Sequence, residues 1–223
     1  TRQYLVYYGN GIQTMLSSGA VDPVYASLNI KSEGGKIDFT KYDKDNNSAK
    51  PQGEATLSGA VYGVYDKKTD ALVDKTTTDN NGYAKIEHLP YFGDFYLQEI
   101  IPSKGYQLDT TKYYFTSSLD NIDNYVIVKE KVINRDVEFT KVYATSKSEI
   151  MTPEPNVEFG FYNSKGELYK TGKTDKNGKL NINLVYGTYT VKQLTTSKDT
   201  TKVDDFTIKV YEMGDKIYYT ISN

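Results

Sequence analysis

The chain has 223 residues, 38% of them hydrophobic, enough for one large or two small packed domains. Its 27 basic and 29 acidic residues nearly balance, which leaves no electrostatic case for nucleic acid or an anionic membrane surface. There is no cysteine, so disulfides, thiolate chemistry and cysteine-ligated zinc are excluded, and no apolar run is long enough to span a bilayer.

Residues 1–35 come first. RQYLVYY (2–8) reads as a strand, and IQTMLSS (12–18) as a helical turn or two. The segment is expected to be the tail of a preceding domain or an N-terminal extension. Nothing in it has the charged-then-apolar pattern of a signal peptide, as expected also of an exported chain without its signal.

From residue 36 onward, runs rich in Tyr (22 in the chain), Thr and Val suit strands. They are punctuated by DKDNN (43–47), DNNG (79–82), PSKG (102–105), NSKG (163–166), DKNG (175–178) and EMGD (212–215). Short strands between regular turns predict an all-β sandwich or barrel. DKDNN has a trace of a calcium loop but lacks the glycine and distal glutamate of an EF-hand, so it reads as a plain turn. His88, the one histidine, follows Glu87 and precedes Leu89-Pro90 at a strand-to-turn junction. No serine sits in a nucleophile-elbow pattern, so nothing supports an enzyme acting on external substrates, and no cofactor or metal is expected.

The sequence repeats itself. KIDFTKYD (36–43) matches DVEFTKVY (136–143), SGAVYGVYD (58–66) matches PNVEFGFYN (155–163), TTDNNGYAKI (77–86) matches KTDKNGKLNI (173–182), and GDFYLQE (93–99) matches GTYTVKQ (187–193). VIN (132–134) pairs with ISN (221–223) at the ends. Two units of the size of a small sandwich are predicted, 36–135 and 136–223, with almost no linker between them. So short a connection should restrict motion, as in a semi-rigid rod.

Alternation places side chains on faces. Phe95, Leu97, Glu99 and Ile101 share one face, putting an acid in line with three apolar residues. Ile37, Phe39 and Lys41 share a face, as do Val137, Phe139 and Lys141. Val128, Val132 and Asn134 are expected to point the same way in the last strand of the first unit, and Ile217, Tyr219, Ile221 and Asn223 in the second. Each unit thus sends a lysine and an asparagine toward its core. The first adds Glu99, and the second has Gln193 at the matching place. Burial lowers the pKa of a lysine and raises that of a carboxyl group. Two outcomes are open. One is a buried ion pair with an amide hydrogen bond, which the pattern alone favours. The other is covalent: neutral lysine attacks the carboxamide, a protonated Glu99 relays protons, ammonia leaves and an isopeptide bond remains.

The ordered set FTK, SGAVYGVY, TTDNNG, YLQEIIPSKGY (96–106) and a terminal VIN resembles the collagen-adhesin B-type (CnaB, SpaA-like) domains of Gram-positive surface adhesins and pilins. YLQEIIPSKGY looks like their E-box. The resemblance is good over 36–134 and looser over 136–223. It implies tandem immunoglobulin-like β-sandwiches, with Lys41 as nucleophile, Asn134 as acceptor and Glu99 as catalytic acid of an isopeptide bond. It implies an extracellular, cell-wall-anchored stalk with neighbouring domains of the same chain as partners. The alternative is a module binding a host-matrix protein or glycan. In the second unit Gln193 replaces the acid and no Pro/Gly-Tyr follows, so a Lys141–Asn223 bond is expected to be slow or absent. Were it to form, Asp204 or Asp205 would be the first acids to consider.

Overall fold

The computed structural model describes residues 3–8, 12–17, 34–145, 148–197 and 200–222. Among these, every regular element is a strand. The first two, β1 (Gln3–Tyr8) and β2 (Ile12–Ser17), pair antiparallel from Gln3↔Ser17 to Tyr8↔Ile12. The helical reading of 12–18 is therefore corrected. Six residues cannot offset the cost of nucleating a helix, whereas the strand before them supplies a full ladder of partners.

The first unit contains β3 (Lys36–Asp43), β4 (Val61–Asp66), β5 (Leu72–Thr77), β6 (Tyr83–Ile86), β7 (Gly93–Ile101), β8 (Tyr113–Ser117) and β9 (Asp123–Glu130). They form two sheets, β6-β3-β9 and β5-β4-β7-β8. Ile37, Phe39, Ala84, Ile86 and Val128 from one sheet meet Tyr62, Val64, Phe95 and Leu97 from the other in a single core. The strands alternate as a half-buried strand should: in β3 the inward residues are Ile37, Phe39, Lys41 and Asp43.

The second unit repeats this plan. Its strands are β10 (Asn134–Thr145), β11 (Ser148–Pro153), β12 (Glu158–Tyr162), β13 (Leu168–Lys173), β14 (Lys179–Val185), β15 (Gly187–Gln193), β16 (Phe206–Val210) and β17 (Ile217–Ser222). β13-β12-β15-β16 face a sheet in which β10 is flanked by β14 and β17 and extended by β11. Phe139, Phe159, Phe161, Tyr189 and Val191 centre the core. In both units the first and last strands are parallel neighbours, β3 with β9 and β10 with β17, while the other pairings are antiparallel.

Two faces differ from the alternation reading. Phe95, Leu97 and Glu99 point inward, but Ile101 is exposed. A β-bulge explains it: Val61 pairs with Ile101 and Tyr62 with Glu99, so an extra residue flips the end of β7 outward. Asn134 is not in the last strand of the first unit, because β9 ends at Glu130 and Asn134 opens β10, paired with Val185.

The joint between the units is itself packed. Ala55, Leu57, Tyr106 and Val132 of the first unit bury against Val185, with Tyr169 and Tyr186 alongside. The Tyr186 N–H donates to Ile133 O at 2.7 Å, and its carbonyl accepts from Glu54 N at 2.9 Å. Gly105, at φ +84°, lets the chain pass the Tyr186 ring, since an added Cβ would lie 2.8 Å from ring carbons. Tyr186→Ala should weaken the joint by at most about 3 kcal/mol without unfolding either sandwich. Small-angle scattering checks this: the variant should show a broader spread of interdomain distances, and an unchanged profile would contradict it.

Candidate functional site

Each core is interrupted at one place by a wholly buried lysine, Lys41 in the first unit and Lys141 in the second. Both sit on the inner face of the opening strand, two residues after a core phenylalanine, so the fold itself forces them inward.

Lys41 Nζ hydrogen-bonds a carboxylate oxygen of Glu130 and donates to Ser103 Oγ at 2.6 Å. Glu99 Oε1 stands 3.7 Å away, and the Tyr106 ring lies under the amine, 4.3 Å to its centroid. Glu130 reaches this place from β9, where Asn124, Val128 and Glu130 face inward. Its other oxygen accepts from the Tyr62 hydroxyl. Glu99 comes from β7, and its Oε2 accepts the Asp109 N–H at 2.8 Å. The segment after Glu99 supplies Ser103 and Tyr106, whose hydroxyl donates to the buried Asp43 at 2.8 Å. Asp43 also accepts from the N–H groups of Asp45 and Asn46, closing the DKDNN turn.

Two carboxyl groups thus share one lysine in a dry site. Burial, reinforced by the charge of Glu130, pushes the Glu99 pKa up to about 8. Glu99 is therefore protonated at neutral pH, and Lys41 and Glu130 form the charged pair. Burial and then the charges of Glu130 and Glu99 raise the Tyr62 pKa, so its hydroxyl stays a donor. The cluster can hold a neutral acid beside an amine and a polarised carboxyl carbon.

The structure brings Lys41 and Glu99 together, but Asn134 stands elsewhere. Its Nδ2 donates to Val132 O at 3.2 Å, and its Oδ1 accepts from Asn183 Nδ2 at 3.1 Å. Sequence reasoning missed Glu130. The signal was available in the register: Lys41 pairs with Val128 and Asp43 with Glu130, while Lys141 pairs with Ile221. Val128-Lys129-Glu130, not Val132-Ile133-Asn134, is the counterpart of Ile221-Ser222-Asn223. Asn223 itself lies outside the described residues.

The second site is built differently. Tyr62 pairs with Glu99, and Phe159 pairs with Gln193, so Gln193 does occupy the acid's position and a phenylalanine that of the tyrosine. The Gln193 amide donates to Thr195 O at 2.8 Å and accepts from Val203 N at 3.1 Å. The carboxylate at Lys141 belongs instead to Glu154, 2.8 Å away and fully buried. Glu154 also accepts from Ser197 Oγ at 2.6 Å, Thr200 Oγ1 at 2.7 Å and Ser197 N at 3.1 Å. Burial alone would raise its pKa, but the hydrogen bonds from Lys141, Ser197 and Thr200 outweigh this and hold it at about 2. Its place in the first unit is taken by Leu57. Thr78 donates to Leu57 O as Thr174 donates to Glu154 O. Asp205, expected as a stand-in acid, pairs with Lys192 at the surface.

A family model described as the SpaA prealbumin-like fold domain matches residues 35–131 and again 135–223. The chain belongs to the SpaA family. No curated protein matches it. Among solved structures it is similar to the Bacillus anthracis TIE protein, with 26% identity and a TM-score of 0.67 over 85% of this chain and 34% of that one. The chain thus spans about a third of that relative's length. GBS52, the minor pilin of Streptococcus agalactiae, matches at 17% identity and a TM-score of 0.40, covering 85% of this chain and 95% of that one. BcpA, the major pilin subunit of Bacillus cereus, matches at 15% and 0.34, covering 85% and 99%.

Proposed function

We propose that this SpaA-family chain is a stalk segment of a Gram-positive cell-wall-anchored adhesin or pilus subunit, displayed outside the cell, whose first domain closes an autocatalytic isopeptide cross-link on Lys41. The observation that carries this reading is a fully buried lysine beside a protonated acid, bridging from the first strand toward the last. Tension on such a module acts on its first and last strands, and a covalent tie there bypasses the hydrogen-bonded ladder. The packed joint at Tyr186 supports a stalk, because force then passes between domains without a loose hinge. No external substrate is turned over. The chemistry is a single event inside the domain.

Glu99→Ala and Glu99→Gln should leave the first sandwich folded but uncross-linked, since the amine and carbonyl remain and the proton relay is gone. Intact mass under denaturing conditions tests this. The wild type should be lighter than its sequence by one small leaving molecule, and each variant should have its full sequence mass. The Glu99 pKa adds a pH arm. Only protonated Glu99 donates, so the rate of bond formation on refolding should fall as pH rises through about 8. A rate that climbs steadily across that range would oppose the assignment.

A further inference from the structure

We infer that the acceptor of the Lys41 cross-link is the side-chain carboxyl of Glu130, so that the bond forms by loss of water and not of ammonia. This deepens the function proposed above and rests on it. Three observations carry the assignment. Glu130 is the residue of the last strand that touches Lys41 Nζ, and both side chains are fully buried. The parallel register gives Glu130 the position that Asn223 has in the sequence of the second unit. The Tyr62 hydroxyl holds the other oxygen of Glu130, where it can polarise the carboxyl group and stabilise the oxyanion of a tetrahedral intermediate.

The step balances without a co-reactant. The Lys41 ammonium first passes a proton to the Glu130 carboxylate it touches, and the amine so freed attacks Cδ of the resulting carboxylic acid and forms the C–N bond. Glu99, 3.7 Å from the amine, gives its proton to the departing oxygen and takes one from the nitrogen, ending as it began. The C–O bond breaks, water leaves, and a neutral amide remains. Condensation of an amine with a carboxylic acid is unfavourable in bulk water. Here folding holds the reactants in contact, and the uncondensed state carries a buried ion pair whose desolvation the amide relieves. Ser103, accepting from Lys41 at 2.6 Å, orients the amine. Lys141 and Glu154 lack the means: their carboxylate is held ionised, Gln193 cannot relay a proton, and Phe159 has no hydroxyl.

Intact mass and peptide mapping of the whole chain, wild type beside Glu130→Gln and Asn134→Ala, decide it. The expected result is a deficit of one water in the wild type, a branched peptide joining Lys41 to Glu130, and the same deficit in Asn134→Ala. Glu130→Gln should change the lost molecule to ammonia, because an amide at that position expels ammonia, a switch that no purely structural role of residue 130 produces. A wild-type deficit of ammonia with a branch from Lys41 to Asn134 would overturn the Glu130 assignment and leave the cross-link standing. Full sequence mass with only linear peptides would overturn both. The wild-type result is decisive even if a variant fails to fold.

Discussion

Replacing Glu154 with alanine should destabilise the second domain by about 3–5 kcal/mol, because it breaks the buried ion pair that Glu154 makes with Lys141. Ser197 and Thr200, which donate to Glu154, lose their acceptor in the same change. The first domain, with its own core and its own lysine site, should be unaffected away from the joint. Acid should reproduce the effect. The Glu154 pKa is depressed in the folded state to about 2 from an ordinary value of 4.5. Its stabilising contribution is therefore fully present above the unfolded pKa and is lost as pH falls through the folded one. Hydrogen exchange resolved by peptide measures both arms. Protection of β10, β12 and β15 should collapse in Glu154→Ala at neutral pH, and in the wild type as pH falls from about 4.5 toward 2. Equal loss in the two domains, or none in the second, would refute the role given to Glu154.

The two lysine sites show how far the sequence could be read. The strand content followed from the Tyr-, Thr- and Val-rich runs between turns, the repeat from matched segments, and the inward placement of Lys41, Lys141 and Glu99 from period-two alternation, which holds wherever a strand has one buried face. Alternation failed where the chain left the regular pleat. The bulge in β7 turned Ile101 outward, and the end of β9 at Glu130 broke the phase before Asn134 was reached. Matching VIN to ISN relied on similar letters at similar places, whereas the partner of a lysine is set by the register of two parallel strands, which only the fold fixes. Glu154 was invisible for another reason. It lies between strands, where no period applies, and it occupies the place of an apolar residue, Leu57, in the first domain. The acid has thus moved from one wall of the site to another between the repeats, and a residue-by-residue match of the two could find only its absence at Gln193.

Heating the chain with protease present should remove the second domain while the first survives. The first domain meets the requirements for a covalent tie: an acid kept neutral by burial, a hydroxyl on the carboxyl group, and an amine in contact with it. The second has the amine in contact but lacks the neutral acid, because Glu154 is held ionised at about 2, Gln193 stands at the acid's position and Phe159 at the tyrosine's. A bond between Lys41 and Glu130, 89 residues apart, closes almost the whole first domain into a loop. By analogy with a disulfide over such a span, it removes about 4–5 kcal/mol of chain entropy from the unfolded state. In a domain of this size that raises the midpoint by roughly 20–30 °C. Calorimetry should therefore show two transitions, the upper one belonging to the first domain. Glu99→Ala should bring the upper transition down by that interval and leave the lower one in place. Proteolysis should follow the same order, with the wild type yielding a resistant fragment near residues 34–134 and the variant yielding none at the same temperature. A wild-type chain that melts in one step, or whose halves are cut at equal rates, would show that the first domain carries no tie and that its buried lysine is held by charge alone.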